Sequence, residues 1–300
     1  MNHSHISVRP RGTTSRRGMF AAALVTLAMV VAACSSTKGN EGVAGTADTA
    51  VVGASTTSSS TSSTSTSTST TLAPTTTTTI PGFLGEEIIG TSVEGRPITA
   101  YHRGTPGGIP VLIVGVIHGN EDDGLAVVDL LRTMPLPDGY DLWLLPSLNP
   151  DGQAAQTRTN ANGVDLNRNF PHDWGPIAQP GDSEYAGTGP ASEPETQAFV
   201  AFADRIQPRL TLWYHQNAFL ILPSQRADGP LRKTYAELTG LPYASFGSGT
   251  SSTFTGIAAT WVRTQVPRAM SFIIELGDTL PPDQALIHAN AVITIMQMVK

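Results

Sequence analysis

Four residues, from three separate stretches of the chain, have side chains suited to one reaction. His118 and Glu121 stand three apart in Val116-Ile117-His118-Gly119-Asn120-Glu121-Asp122-Asp123-Gly124, a spacing that lets one turn aim an imidazole and a carboxylate at the same point. Together with a distant histidine they would make the His2Glu set that suits one catalytic zinc with a fourth position open to water. His215 closes the run Leu210-Thr-Leu-Trp-Tyr214, and Glu275 follows Phe272-Ile-Ile274. A carboxylate beside such a metal has the chemistry of a general base in hydrolysis. Each residue alone also has a plainer reading. His118 and Glu121 could be a hydrogen-bonded pair at a helix start, His215 a structural strand-end histidine, and Glu275 a solvated acid. Arg158 and Arg168 bracket a loop-like, amide-rich stretch with Asn160, Asn162 and Asn167. An arginine fork matches a carboxylate and a nearby amide adds a neutral donor, although an ordinary polar loop with weak surface ion pairs has the same composition.

The elements that would position these groups are visible in the hydrophobic pattern. Val111–Val116, Asp141–Leu145, Leu210–Tyr214 and Ser271–Ile274 read as buried strands. Gly124–Met134 and Glu193–Ile206 read as helices, the second introduced by Ser192-Glu193-Pro194-Glu195 with its cap-type serine, early proline and first-turn acids. Strands alternating with helices predict an α/β fold: a single domain with a mixed, mostly parallel central sheet flanked by helices. In such sheets ligands gather beyond the carboxyl ends of the strands. His118 and Glu121 follow the first run, Asn149-Pro150-Asp151-Gly152 the second, His215 ends the third and Glu275 the fourth. Four strand ends thus converge on two histidines and two glutamates.

The remainder of the chain is of another kind. Residues 1–33 carry Arg9, Arg11, Arg16 and Arg17 ahead of the apolar run Ala21–Ala33, the charged and hydrophobic parts of an export signal. The run is short for a permanent membrane span. Val31-Ala-Ala-Cys34 resembles a bacterial lipobox, so Cys34, the only cysteine of the chain, is the expected lipidation site. Ser15-Arg16-Arg17-Gly18-Met19-Phe20 resembles a twin-arginine signal, and the choice between that route and the general one stays open. Residues 34–82 include an unbroken Ser/Thr run, 55–71, with too little apolar surface to repay ordering, and are expected to tether residues 83–300 to the outer face of the cytoplasmic membrane. Removal of residues 1–33 takes away four positive side chains and no negative one, so the formal charge of −6 becomes −10. So acidic a chain is a poor nucleic-acid binder. Oligomeric state has no signal in the sequence.

Taken in order, His118-Gly-Asn-Glu121, Asn149-Pro-Asp-Gly152, Val164-Asp-Leu-Asn-Arg-Asn-Phe170, Ser192-Glu-Pro-Glu-Thr196, His215 and Glu275 resemble the zinc metallocarboxypeptidases of the M14 type. Ser92-Val-Glu-Gly-Arg-Pro-Ile98 resembles that family's entry segment. The resemblance implies a carboxypeptidase-like fold and one zinc per chain held by His118, Glu121 and His215. It implies that Glu275 activates the attacking water and passes its proton to the leaving amine, and that Arg158 stabilises the oxyanion. Asn167 and Arg168 would grip the terminal carboxylate of a peptide substrate, and Asp165 would orient His118. Two features depart from the digestive members: Gly247–Gly256 lacks their mobile tyrosine, and Phe254–Arg263 does not match their specificity region. The compact length and short Arg158–Arg168 segment look more like bacterial murein peptide amidases, which cut the γ-D-glutamyl to diaminopimelate bond. Parts of the pattern also resemble aspartoacylase and desuccinylase relatives, against which export and the Ser192–Thr196 segment speak. A non-catalytic surface lipoprotein that binds peptides or wall fragments would be expected to have lost a ligand or Glu275, and none is missing.

Overall fold

The computed structural model describes residues 81–246 and 254–300. The expected export signal, Cys34, the tether up to residue 80 and residues 247–253 lie outside the described residues.

The four apolar runs are strands, each slightly longer than its hydrophobic core: β3 (Ile109–Val116), β4 (Tyr140–Ser147), β5 (Leu210–Gln216) and β6 (Met270–Leu276). They are mutually parallel, and the sheet order is β1-β2-β4-β3-β5-β6. The two strands that make the sheet mixed, β1 (Phe83–Thr91) and β2 (Pro97–Gly104), pair antiparallel at one edge. Neither carries an apolar run. β1 includes Glu86 and Glu87 and is mostly exposed, as suits an edge strand with one solvated face.

Strand periodicity divides the core in two. Val111, Ile113, Leu212 and Ile274 face one side, where α1 (Gly124–Leu131), α4 (Gly229–Thr239) and α6 (Pro282–Met296) cover them. Leu112, Val114, Trp213 and Ile273 face the other, under α3 (Pro194–Ile206) and α5 (Ala258–Gln265). A short α2 (Pro150–Ala155) follows β4. Two expected helices have different ends. α1 stops at Leu131, three residues before Met134, with Arg132 as its cap. In α3, Glu193 is the cap and Pro194 the first helical residue, where its missing N–H costs nothing.

On the α4–α6 side lies a buried polar chain. The Tyr214 and Tyr235 hydroxyls are 2.9 Å apart, and the Tyr235 hydroxyl is hydrogen-bonded to His288 Nδ1 at 2.8 Å. Burial lowers the His288 pKa from 6.5 to about 4. The unfolded chain therefore takes up a proton that the folded chain refuses, so stability is lost as pH falls from about 6.5 towards about 4. Thermal melts of wild type and His288→Gln should diverge in slope across this window. The wild type should lose on the order of 2–3 kcal/mol relative to the variant by its acid end, and parallel curves would show that His288 does not titrate this way.

Candidate metal centre

Because side chains alternate along a strand, residues 213 and 215 of β5 share a face, as do 273 and 275 of β6. His215 and Glu275 are aligned in the β5–β6 register, so both side chains leave the sheet side by side at its carboxyl edge. His118 comes two residues after β3, the neighbour of β5 on its other side. The loop that carries it is clamped. A Cβ on Gly119 would lie 1.9 Å from the carbonyl carbon of Gly152, so only glycine permits this approach to the first turn of α2. Asn149 caps that turn by accepting from Gly152 N at 2.9 Å, while its Nδ2 donates to Ile117 O at 3.1 Å. The Asn149-Pro-Asp-Gly152 motif thus supports the His118 loop and sends no side chain to the cleft.

The structure brings His118, Glu121 and His215 together, all buried, with one ligand atom from each within 4.8 Å of the others. His118 Nδ1 is 2.9 Å from Glu121 Oε1, and His215 Nδ1 is 3.0 Å from Oε2. Gln216 N also donates to Oε2 at 3.1 Å. On the far side of the ring His118 Nε2 donates to Asp165 Oδ1 at 2.9 Å, so Nδ1 is the ring nitrogen turned to Glu121 and available to a metal. Burial works against charge on Glu121 and Asp165. Contacts with His118 and His215 in the first case, and with His118, Arg158 and Arg168 in the second, outweigh it, and both carboxyls are held well below the usual range. Burial likewise opposes a charged His118, yet Asp165 and Glu121 raise its pKa.

Arg158 joins the same cluster. Its Nε and Nη2 donate to Asp165 Oδ2 at 3.1 and 2.8 Å, and Nη1 donates to Glu121 Oε1 at 2.8 Å. Asn167 and Arg168 follow on a 3-10 turn, Leu166–Arg168, capped by Asp165. Asn167 Oδ1 accepts from Ala258 N at 3.0 Å, which turns its amide nitrogen to the cleft, and Arg168 Nη2 pairs with Glu184 at 2.7 Å. Glu275 lines the same cleft, of about 400 Å³, and its carboxylate makes no hydrogen bond among the described residues.

The other motif residues are architectural. Asp151 accepts from Ser92 Oγ, Glu94 N and Arg96 and so fixes the 92–96 turn. Glu195 accepts from Val93 N and Asn160 Nδ2, and Glu193 from Asn160 and Asn162. Asp123, without an expected role, accepts from Gln216 Nε2 and Leu280 N, tying the β5 end to the segment before α6. Arg226, Arg232 and Arg263 also line the cleft, and isolated arginines on separate elements left no signal in the sequence.

The profile of the zinc carboxypeptidase family matches residues 71–239, more than half of the chain. The chain belongs to the zinc carboxypeptidase family. The match contains the His118, Glu121 and His215 positions and stops before Glu275. Murein peptide amidase A of Escherichia coli K12 is 34% identical over 143 residues, covering 44% of this chain and 59% of that protein. A metallocarboxypeptidase A-like protein of Trichophyton verrucosum is 25% identical over 252 residues, 66% of this chain and 60% of that one. The chain thus spans about three fifths of the length of these curated relatives. Among solved structures, the murein-tripeptide amidase of Escherichia coli O157 matches with a TM-score of 0.56 and 25% identity, over 71% of this chain and 91% of that one. Carboxypeptidase A of Helicoverpa armigera, at 19% identity and a TM-score of 0.61 over 72% of this chain and 68% of that one, shares the fold.

The donors present fit the zinc after which the family is named. Two imidazole nitrogens and one carboxylate converge, and Asp165 holds one imidazole in the tautomer a metal requires. Asp165→Asn should therefore weaken zinc binding about 10- to 100-fold in competition with a chromophoric chelator. Unchanged affinity would mean that packing alone orients His118.

Proposed function

We propose that the chain is a zinc-dependent hydrolase of peptide or amide bonds next to a residue with a free carboxylate, acting on murein-type peptides. The observation that carries this reading is the alignment of Glu275 with His215, which opens an unpaired carboxylate and the three donor atoms onto one arginine-rich cleft. Similarity to two murein peptide amidases supports the substrate class.

His118 Nδ1, Glu121 and His215 Nδ1 would hold zinc, which supplies Lewis acidity, making water a stronger acid and a carbonyl a better electrophile. Glu275 takes the proton of the attacking water and delivers it to the leaving nitrogen. Arg158, pinned by Asp165 at two nitrogens, stabilises the oxyanion with a guanidinium that needs no reorganisation. Asn167 Nδ2 and Arg168 bind the terminal carboxylate of the residue to be released. Chelation should abolish release of diaminopimelate from a γ-D-glutamyl-diaminopimelate peptide, and zinc should restore it. Glu275→Gln should lower kcat by about 100-fold or more at unchanged zinc content. Equal rates for wild type and variant would remove Glu275 from the reaction.

Residues 1–34 support export and lipid anchoring of this domain at Cys34, which would place it beside cell-wall peptides. Among the described residues no helix is long and apolar enough to cross a membrane. Cys34→Ser should end fatty-acid labelling and shift the protein from the membrane pellet to the soluble fraction. A variant that stays in the pellet would sink the lipoprotein assignment.

A further inference from the structure

The last residue of β5 ties together the three segments that carry the proposed reactive groups. Gln216 stands directly after His215, and its main-chain nitrogen donates to Glu121 Oε2 at 3.1 Å. Its side chain makes a two-point pair with Asp123: Oε1 accepts from Asp123 N and Nε2 donates to Asp123 Oδ2, both at 3.1 Å. The same Nε2 reaches Asp278 O at 3.2 Å and Gly277 O at 3.3 Å. Asp123 Oδ2 also accepts from Leu280 N at 2.6 Å. A donor on one side of the amide and three acceptors on the other leave one way to place its oxygen and nitrogen, and only a side chain that both donates and accepts completes the set. Asp123 stands at the N-cap of α1, where an aspartate ordinarily accepts from its own helix, yet its carboxylate makes no such bond. It is turned instead to the end of β5 and to the segment after β6.

These bonds fall close to the groups that must act together. Asp123 is two residues from Glu121, Gln216 one from His215, and Gly277 two from Glu275. With its carboxylate unbonded among the described residues, Glu275 is placed by its backbone: by the register with His215, by the bonds exchanged with Leu220 at 3.1 and 3.2 Å, and by what holds the chain just beyond. The β5–β6 register ends at Gln216 and Leu276, and the Gln216 amide continues the link past it. Among the described residues neither that amide nor the Asp123 carboxylate is bonded to Asp165, Asn167 or Arg168. The clasp is therefore separate from the Asp165 network, and it alone spans from the Glu121 loop to the segment that follows Glu275.

We propose that Gln216, through Asp123 and the carbonyls of Gly277 and Asp278, is the positioning residue that sets the metal donors Glu121 and His215 against Glu275. The part that concerns Glu275 rests on the hydrolase reading; the part that concerns the donors is read without turnover. In the cobalt(II)-loaded full chain, Gln216→Leu, close in volume but without the amide, should weaken cobalt binding about 10-fold in competition with a chromophoric chelator, the scale of losing a group behind a ligand. It should also shift the visible absorption of the bound ion. Asp123→Ala should do the same, whereas Asp123→Asn, whose amide oxygen can take the place of Oδ2, should keep the wild-type affinity and spectrum. In turnover, Gln216→Leu should lower kcat about 10- to 100-fold at unchanged KM, and should lower it no further in a Glu275→Gln background. An unchanged affinity and spectrum in Gln216→Leu and Asp123→Ala, with only a lower melting temperature, would make the clasp structural and overturn the inference, as would an Asp123→Asn damaged as badly as Asp123→Ala. The Asp123 variants decide even where Gln216→Leu fails to fold. A kcat loss that adds in full to that of Glu275→Gln overturns the Glu275 part. A responsive spectrum in a chain that hydrolyses nothing sinks the hydrolase reading and keeps the donor part, and turnover with an unresponsive spectrum does the reverse.

Discussion

Asp165 is cut off from solvent, and an ionised carboxylate in such a place must have its oxygens fully engaged. Oδ1 accepts from His118 Nε2 and from Asn167 N, and Oδ2 from Nε and Nη2 of Arg158. One buried acid therefore fixes the tautomer of one metal donor, the direction of the guanidinium proposed for the oxyanion and the turn that presents Asn167 and Arg168. These groups cannot be set independently. The same arrangement explains why Asp165, Arg158 and Arg168 stand within eleven consecutive residues, 158–168.

The anchor is itself held from a distance. Asn160, at the start of the loop that reaches Asp165, is gripped by Glu193 and Glu195 at the beginning of α3. α3 lies so close to β1 that a Cβ on Gly90 would fall 2.5 Å from the Ala198 methyl carbon. Glu195 further accepts from Val93 N in the β1–β2 turn, and Asp151 closes that turn from the other side. The antiparallel edge of the sheet thus acts on the cleft without touching it, through α3 and then the loop. The parallel strands work more directly, since β3, β5 and β6 are neighbours and release His118, His215 and Glu275 at one edge. A one-residue slip of β6 would turn Glu275 to the other face.

This division explains what the sequence made legible. Buried parallel strands are nearly continuous apolar runs, so β3 to β6 stand out, and the polar residues after them group together by position. β1 carries two glutamates, β2 a histidine and an arginine, and with their half-exposed pattern neither could be separated from loop. The motif residues were visible as a set, but not their division of labour. Asn149 and Asp151 follow a strand end just as His118 does, yet they face inward to backbone and to Ser92, because the glycine contact between residues 119 and 152 takes the space a cleft-facing side chain would need. Arg226, Arg232 and Arg263 share no spacing at all, and only the packing of α4 and α5 near β6 makes them neighbours.

Charge is distributed against the composition. The chain carries 24 acids and 18 lysines and arginines, yet five arginines line this one cleft, with Glu121 and Glu275 as its acids. An acidic protein does not gather arginines by chance of abundance: Arg158 pairs with Glu121, whereas Arg226, Arg232 and Arg263 make no ion pair with either glutamate of the cleft among the described residues. Such an excess of positive charge attracts an anionic ligand before any close contact forms. A substrate entering with its carboxylates towards Glu275 meets like charge in a partly desolvated site. The reversed entry gains a guanidinium for each carboxylate and leaves the neutral amide bond beside Glu275 and the donor set. Discrimination of this kind needs repulsion at one end as much as attraction at the other, and the sheet supplies both by ending β6 on an acid while α5, packed against it, carries Arg263.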